Sequence, residues 1–287
     1  MTTDGVLVVD KPSGVTSHDV VDEVRKRLRT RKVGHAGTLD PDATGILVLG
    51  LGRATRFLDY AQAEPKRYLA IASFGTATTT QDASGEVVER RAPEFDRADL
   101  ERALARFRGP IDQVPPMVSA VKVKGERLHV RARRGESVER PARRVVIHEL
   151  ELRSFVPGVP PEATLEVECS AGTYIRTLVH DLGSDLGCGA HLVFLRRVAA
   201  GGFTEDDAVP LDLVSSDRIR PLIDLVAGLP RLESSATEAA LVRDGRALAN
   251  AARLASGEIT AIVRDDRLLG VYRASGDSLV AERVVAW

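Results

Sequence analysis

Apolar and polar positions recur along this chain with two different periods, and the switches between them mark the elements. Gly5-Val6-Leu7-Val8-Val9-Asp10 is a short β-branched run that predicts a strand, ended by the turn cluster Lys11-Pro12-Ser13-Gly14. A helical period follows: Val20, Val21, Val24 and Leu28 share one face, basic side chains take the other, and Thr16-Ser17-His18-Asp19 supplies caps. Ile46-Leu47-Val48-Leu49 is continuously apolar and predicts a buried anchoring element. Further strands are expected from Tyr68, from Val145 to Val156 and from Ala163 to Cys169. Helical spacing covers 95–108 through Leu100, Ala103 and Leu104, the stretch from Arg176 through Leu178, Val179 and Leu182, and the segments 211–225 and 237–248. After the linker Gly228-Leu229-Pro230 the texture changes to short, closely spaced strands with turns at 264–266 and 275–278, which suggests a small barrel.

Composition narrows the picture. A chain of 287 residues at 44 % hydrophobic can bury one large core plus a small one. Cys169 and Cys188 have neither metal-ligand nor disulfide spacing, and the histidines form no H-x-x-H arrangement, so a metal-free protein of the cytoplasm is expected. Met1-Thr2-Thr3-Asp4 does not open a leader, and no apolar run is long enough to span a bilayer, so no membrane role is expected. Gly50-Leu51-Gly52-Arg53-Ala54-Thr55 lacks the third glycine and the strand-turn-helix order of a dinucleotide fingerprint, and no Walker sequence occurs, so no cofactor is expected.

A net charge of -1 argues against a polyanion partner only as an average. Lys122, Lys124, Arg127, Arg131, Arg133, Arg134, Arg140, Arg143 and Arg144 face only Glu126, Glu136 and Glu139 in one segment. A second basic run, from Arg25 to Lys32, directly precedes the loop Gly34-His35-Ala36-Gly37-Thr38-Leu39-Asp40-Pro41-Asp42-Ala43-Thr44-Gly45. Basic stretches around one loop point to a phosphate backbone as partner.

That loop holds one carboxylate, Asp40, between glycines that let the backbone approach a ligand closely. Asp40-Pro41 is also good helix-start grammar, with Asp at the cap, Pro at the first helical position and Asp42 in the first turn. Other candidates carry similar double readings. Tyr68 reads as strand packing, Arg176 as a surface arginine, Leu195 as a core leucine, Lys11 as a turn residue and His35 as a loop hydrogen-bonder.

The string GHAGTLDPDATG, with KPSGVTS ahead of it, GLGRATR behind it, then KRYLA at 66–70 and SAGTYIRTLVHDLG at 170–183, resembles the bacterial TruB family of tRNA pseudouridine synthases. The resemblance runs from about Val6 to Val198 and implies an α+β fold. Its catalytic domain, residues 1–228, would have a mixed, largely antiparallel sheet and a basic RNA-gripping insertion at about 112–144. A small β-rich, PUA-like RNA-binding domain would follow at 231–287. It implies isomerisation of the T-loop uridine of tRNA, position 55, by a monomer with no obligatory protein partner. Asp40 is then the catalytic carboxylate, Arg176 its electrostatic partner and Tyr68 the platform on which a flipped-out uracil stacks. His35 would fill the place the base vacates, Leu195 would lie beside the base, and Lys11 would support the loop. Lys122, Lys124, Arg131, Arg133 and Arg134 would meet the RNA. The family's usual tyrosines are replaced by Val118 and His129. A non-catalytic tRNA-binding protein and a guide-RNA-dependent relative remain as rival readings. An acid near phosphates does nothing for the first, and the second lacks a long basic insertion.

Overall fold

A computed structural model describes residues 4–116, 122–123, 126–127 and 140–285. The chain divides into two compact units, Met1–Glu64 with Ala199–Trp287, and Pro65–Val198.

The first unit opens with β1 (Gly5–Lys11), α1 (Ser17–Arg27), β2 (Val33–His35) and β3 (Thr44–Leu51). β3 pairs antiparallel with β1, Val48 opposite Val8, and with β2, Leu51 opposite Val33. Because side chains alternate across a strand, β1 and β3 feed two cores. Leu7, Val9, Leu47, Leu49 and Leu51 pack with Val20, Val21 and Val24 of α1. Val6, Val8, Ile46 and Val48 point the other way. This is why the runs are continuously apolar rather than alternating. α1 starts at the expected cap: Thr16 and Asp19 form a reciprocal capping box, and hydrogen bonds from Thr16 hold the Asp19 carboxyl below its usual range. α2 (Leu58–Ala63) closes this part.

The second unit contains β4 (Lys66–Phe74), β5 (Thr76–Thr78), β6 (Val87–Arg90), α3 (Arg97–Arg106) and β7 (Gly109–Gln113). A short antiparallel pair, β8 (Lys122–Val123) and β9 (Glu126–Arg127), leads to β10 (Arg143–Val156), β11 (Glu162–Cys169), α4 (Ile175–Asp185) and β12 (Ala190–Ala200). Its sheet runs β12-β4-β11-β10-β7, in which β4 with β11, β11 with β10 and β10 with β7 pair antiparallel. Lys122 lies on the β8 backbone; Lys124, Arg131, Arg133, Arg134, Val118 and His129 fall outside the described residues.

Returning to the first unit, β13 (Phe203–Thr204) pairs with the end of β12, and β14 (Val209–Pro210) lies parallel to β1. The helix expected over 211–225 does not form. Three 3-10 turns stand there, at Leu211–Leu213, Ser216–Arg218 and Leu222–Val226. Pro221 pushes Arg220 away from helical geometry, and the Arg220 backbone instead exchanges both hydrogen bonds with Val6, at 2.8 and 2.9 Å. Then come β15 (Arg231–Glu233), α5 (Ala236–Arg243), β16 (Leu248–Ala249), β17 (Ile259–Arg264), β18 (Arg267–Ser275) and β19 (Ser278–Val284). They form the expected β-rich module, a five-stranded sheet ordered β15-β17-β18-β19-β16. Ala261, Val263, Leu268 and Val271 share one core with Val6, Val8, Ile46 and Val48.

Candidate active site

In the first unit the residues around Asp40 form a pinned loop. The helix start that Asp40-Pro41 suggests is absent: residues 41–43 turn and β3 begins at Thr44. In a helix the Pro41 carbonyl would accept from a residue one turn on. Here it accepts from Lys11 Nζ at 2.8 Å and from the Gly14 amide at 3.0 Å. Lys11 has no solvent exposure, and its ammonium also donates to the carbonyls of Pro12 and Val15 at 2.9 and 2.7 Å. A buried cation bonded to three carbonyls acts as a fastener. On the other side of Asp40, Ser17 Oγ accepts from the Leu39 amide at 2.8 Å and donates to the Leu39 carbonyl at 3.1 Å. Both neighbours of Asp40 are therefore fixed, while Asp40 itself is half-buried. Gly37 and Gly45 adopt φ of 116° and 97°, values that explain why the loop is bounded by residues without a Cβ. His35 ends β2 at the loop entrance, also half-buried.

The second unit carries Tyr68, Arg176 and Leu195. Tyr68 sits on β4 opposite Val167 and is 8 % exposed; Leu195 lies on β12 and is 9 % exposed. Arg176 is not a surface residue. It is 4 % exposed in the first turn of α4, and its Nη1 donates to Asp82 Oδ2 at 3.2 Å and to the Thr80 carbonyl at 3.0 Å. A guanidinium cannot shed its proton, so burial requires such a counter-charge. The other Asp82 oxygen accepts from Thr80 Oγ1 and Ser84 Oγ, both at 2.6 Å, and from the Ser84 amide at 3.1 Å.

One further lock serves Arg176. Gln113, 1 % exposed at the end of β7, donates Nε2 to the Tyr174 carbonyl at 3.2 Å and accepts the Tyr174 amide on Oε1 at 3.0 Å. Tyr174 is the residue before α4, so this two-point grip sets where the helix begins. Sequence reasoning singled out neither Asp82 nor Gln113. The signal for Asp82 was the density of Thr, Ser and Asp in 78–84, residue types whose short side chains bond neighbouring backbone. Gln113 had none, because its partner lies 61 residues away. Among the described residues no cluster of His, Cys, Asp and Glu could hold a metal, and no helix is long and apolar enough to cross a membrane.

Comparison with known proteins agrees with the motifs. The TruB family pseudouridylate synthase N-terminal domain matches residues 25–175, and the tRNA pseudouridylate synthase B C-terminal domain matches residues 176–219. The chain is 46 % identical over 276 residues to a tRNA pseudouridine synthase B of Thermobifida fusca, covering 93 % of this chain and 94 % of the relative. It is 50 % identical over 245 residues to the protein of the same name in Symbiobacterium thermophilum, covering 84 % and 82 %. Among solved structures, a chain from a Cbf5-Nop10-Gar1 complex superposes with a TM-score of 0.77 at 27 % identity, over 98 % of this chain and 85 % of that one. The chain belongs to the TruB family of pseudouridylate synthases.

Proposed function

We propose that this chain isomerises the T-loop uridine of tRNA, position 55, to pseudouridine, acting in the cytoplasm as a monomer without an obligatory protein partner. The observation that carries the reading is the Asp40 loop: the residues on both sides are pinned by Lys11 and Ser17, and the carboxylate stands between them outside any helix. A loop built that way fixes a reacting group to within the tolerance that catalysis needs. Stand-alone action is supported by the higher identity to relatives named tRNA pseudouridine synthase B than to the chain from the Cbf5-Nop10-Gar1 complex.

The reaction is an internal transfer. The bond from uracil N1 to ribose C1′ breaks, the uracil turns, a bond from C5 to C1′ forms, and the C5 proton leaves while N1 takes one up. No electrons are exchanged with any other molecule. The base must first leave the stacked elbow of the tRNA, at a cost of a few kcal/mol that pocket contacts offset. His35 fills the vacated place, and Leu195 and the ring of Tyr68 hold the uracil. Asp40 initiates glycosidic cleavage as nucleophile or base. Arg176, oriented by Asp82 and Gln113, serves as the electrostatic partner of Asp40. The Tyr68 hydroxyl accepts the proton from C5, and Lys11 holds the loop. Lys122, Lys124, Arg131, Arg133 and Arg134 grip the RNA backbone.

The test uses unmodified tRNA transcript, carbodiimide-stop mapping of pseudouridine, and Asp40→Asn with a parallel binding measurement. Wild type is expected to give product at the T-loop position, and Asp40→Asn to bind while turning over at least ~10³-fold more slowly, the upper range of one acid-base group. Binding by wild type without product would leave only the tRNA-binding reading.

A further inference from the structure

An open groove of about 600 Å³ lies in the first unit, lined by Asp22, Arg25, Lys26, Arg29, Thr30 and Arg31. We propose that it is an RNA subsite that takes consecutive phosphates of the substrate's sugar-phosphate backbone, away from the reacting uridine. The proposal rests on the reading of this chain as a tRNA-modifying enzyme and adds a second point of grip to it.

The charge at this place needs an explanation that folding does not supply. Arg25, Lys26 and Arg27 occupy the last turn of α1, where a cation complements the helix dipole. Arg29, Arg31 and Lys32 follow after the helix has ended at Leu28, and the dipole falls off within the last turn. Arg25 is tied to Asp22 at 2.8 Å and to the Val33 carbonyl at 3.0 Å; Arg27 is tied to Glu23 at 2.6 Å. Among the described residues no carboxylate pairs with Lys26, Arg29, Arg31 or Lys32, and all four are exposed. In a chain of net charge -1, gathering unpaired cations repels them from one another and does nothing for stability.

The shape and position fit the same ligand. An open, charged groove suits an extended polyanion rather than an apolar small molecule, which would want an enclosed site. The backbone is fixed there: Thr30 donates its amide to the Arg25 carbonyl at 3.1 Å, Gly52 donates to the Lys32 carbonyl at 2.8 Å, and Arg29 holds φ at 48°. β2 then carries the chain straight from the groove to His35 and the Asp40 loop, a three-residue strand of roughly 10 Å. An RNA whose uridine enters that loop has neighbouring phosphates within reach of the groove.

The test is the triple variant Lys26→Gln/Arg29→Gln/Arg31→Gln, with Arg97→Gln/Arg102→Gln/Arg106→Gln on α3 as a charge-matched control. tRNA affinity is measured across a salt series, and the single-turnover rate at saturating tRNA. For the groove variant the slope of log affinity against log salt is expected to fall by about two to three, since each lost phosphate contact removes ~0.7–0.9. Kd rises at least ten-fold at low salt, and the saturated rate stays within two-fold of wild type. Unchanged affinity and slope overturn the proposal, and so does an equal loss in the α3 control, which marks a non-specific charge effect. Loss of polyglutamate binding with tRNA binding intact also overturns it and assigns the groove to an acidic protein. Because binding is read separately from product, a wild type that binds tRNA but makes no pseudouridine would refute the enzymatic reading and still decide whether the groove grips RNA.

Discussion

The Asp40 loop and the Arg176 helix start are both held rigidly, but by opposite means. Asp40 is set by neighbours from its own end of the chain: Lys11 and Ser17 bind backbone atoms of Pro41 and Leu39, and the continuously buried strand β3 follows. Arg176 is set by residues far away in sequence, Asp82 through charge and Gln113 through an amide grip on Tyr174. One device is local and ionic toward carbonyls; the other is long-range and built on a carboxylate and an amide. Local devices leave compact motifs, whereas long-range ones leave none. That is why the first set of holding residues stands in a recognisable string and the second had to be found in three dimensions.

Removing the local fastener should have the largest effect. Lys11→Met deletes an ammonium bonded to three carbonyls and takes that donor from each of them. Such bonds to a charged group contribute about 1.5–3 kcal/mol each before the recovered desolvation of the lysine, so a net loss of about 2–4 kcal/mol is expected. In a chain of this size that lowers Tm by roughly 5–15 °C. With Pro41 released, kcat should fall ~10²-fold, the usual result of misplacing a reacting group by about 1 Å. Lys11→Arg should not rescue, because a planar fork does not fit a point-charge site with no solvent exposure. Calorimetry and single-turnover rates check this. A variant with wild-type Tm and rate would mean that the loop does not depend on the fastener.

The effect of cutting the long-range lock should be smaller and of a different kind. Gln113→Leu removes two neutral hydrogen bonds, about 1–2 kcal/mol. kcat should fall ~10-fold with KM little changed, since Tyr174 and Arg176 shift while RNA-contacting groups do not. Gln113→Glu sharpens the distinction. Its carboxyl copies the amide only when protonated, so its kcat should recover as pH is lowered, against a wild-type profile without that limb. A Gln113→Glu profile parallel to wild type would reduce Gln113 to packing.

The same contrast accounts for what the sequence made legible. β1, α1, β4, β10, β11 and the C-terminal strands were readable from apolar or β-branched runs bounded by turns and from a local cap, and β3 was readable as a buried element without its type. β12 was assigned no element, since Arg196 and Arg197 interrupt its apolar pattern, and Arg197 is nevertheless 1 % exposed. Segment 211–225 carried a helical pattern that Pro221 and the Arg220–Val6 bridge overrode. At Asp40 the helix-start grammar was sound by local rules and lost to tertiary bonds on Pro41 and Leu39. In the last two cases a tertiary partner took the backbone group that helical grammar had allotted to a residue one turn away.

The smallest expected effect lies on α4 itself, five residues beyond Arg176. Arg176 has a carboxylate partner, whereas among the described residues no cation forms an ion pair with Asp181. Burial raises the Asp181 carboxyl above its usual range, and the nearby His180 only partly opposes this. Between the ordinary carboxylate pKa and that raised value the native state holds more proton than the unfolded chain. Stability from this group is therefore present at low pH, is lost as pH rises through the window, and stays lost at neutral pH. Asp181→Asn removes a partly buried charge with no ion-pair partner, so its Tm at pH 7 should exceed that of wild type by a small margin. The margin should close as pH falls to about 3, where the wild-type carboxyl is protonated in both states. Tm measured against pH for the two proteins gives the answer. Curves that stay parallel through the acid range would mean that Asp181 pays no desolvation penalty.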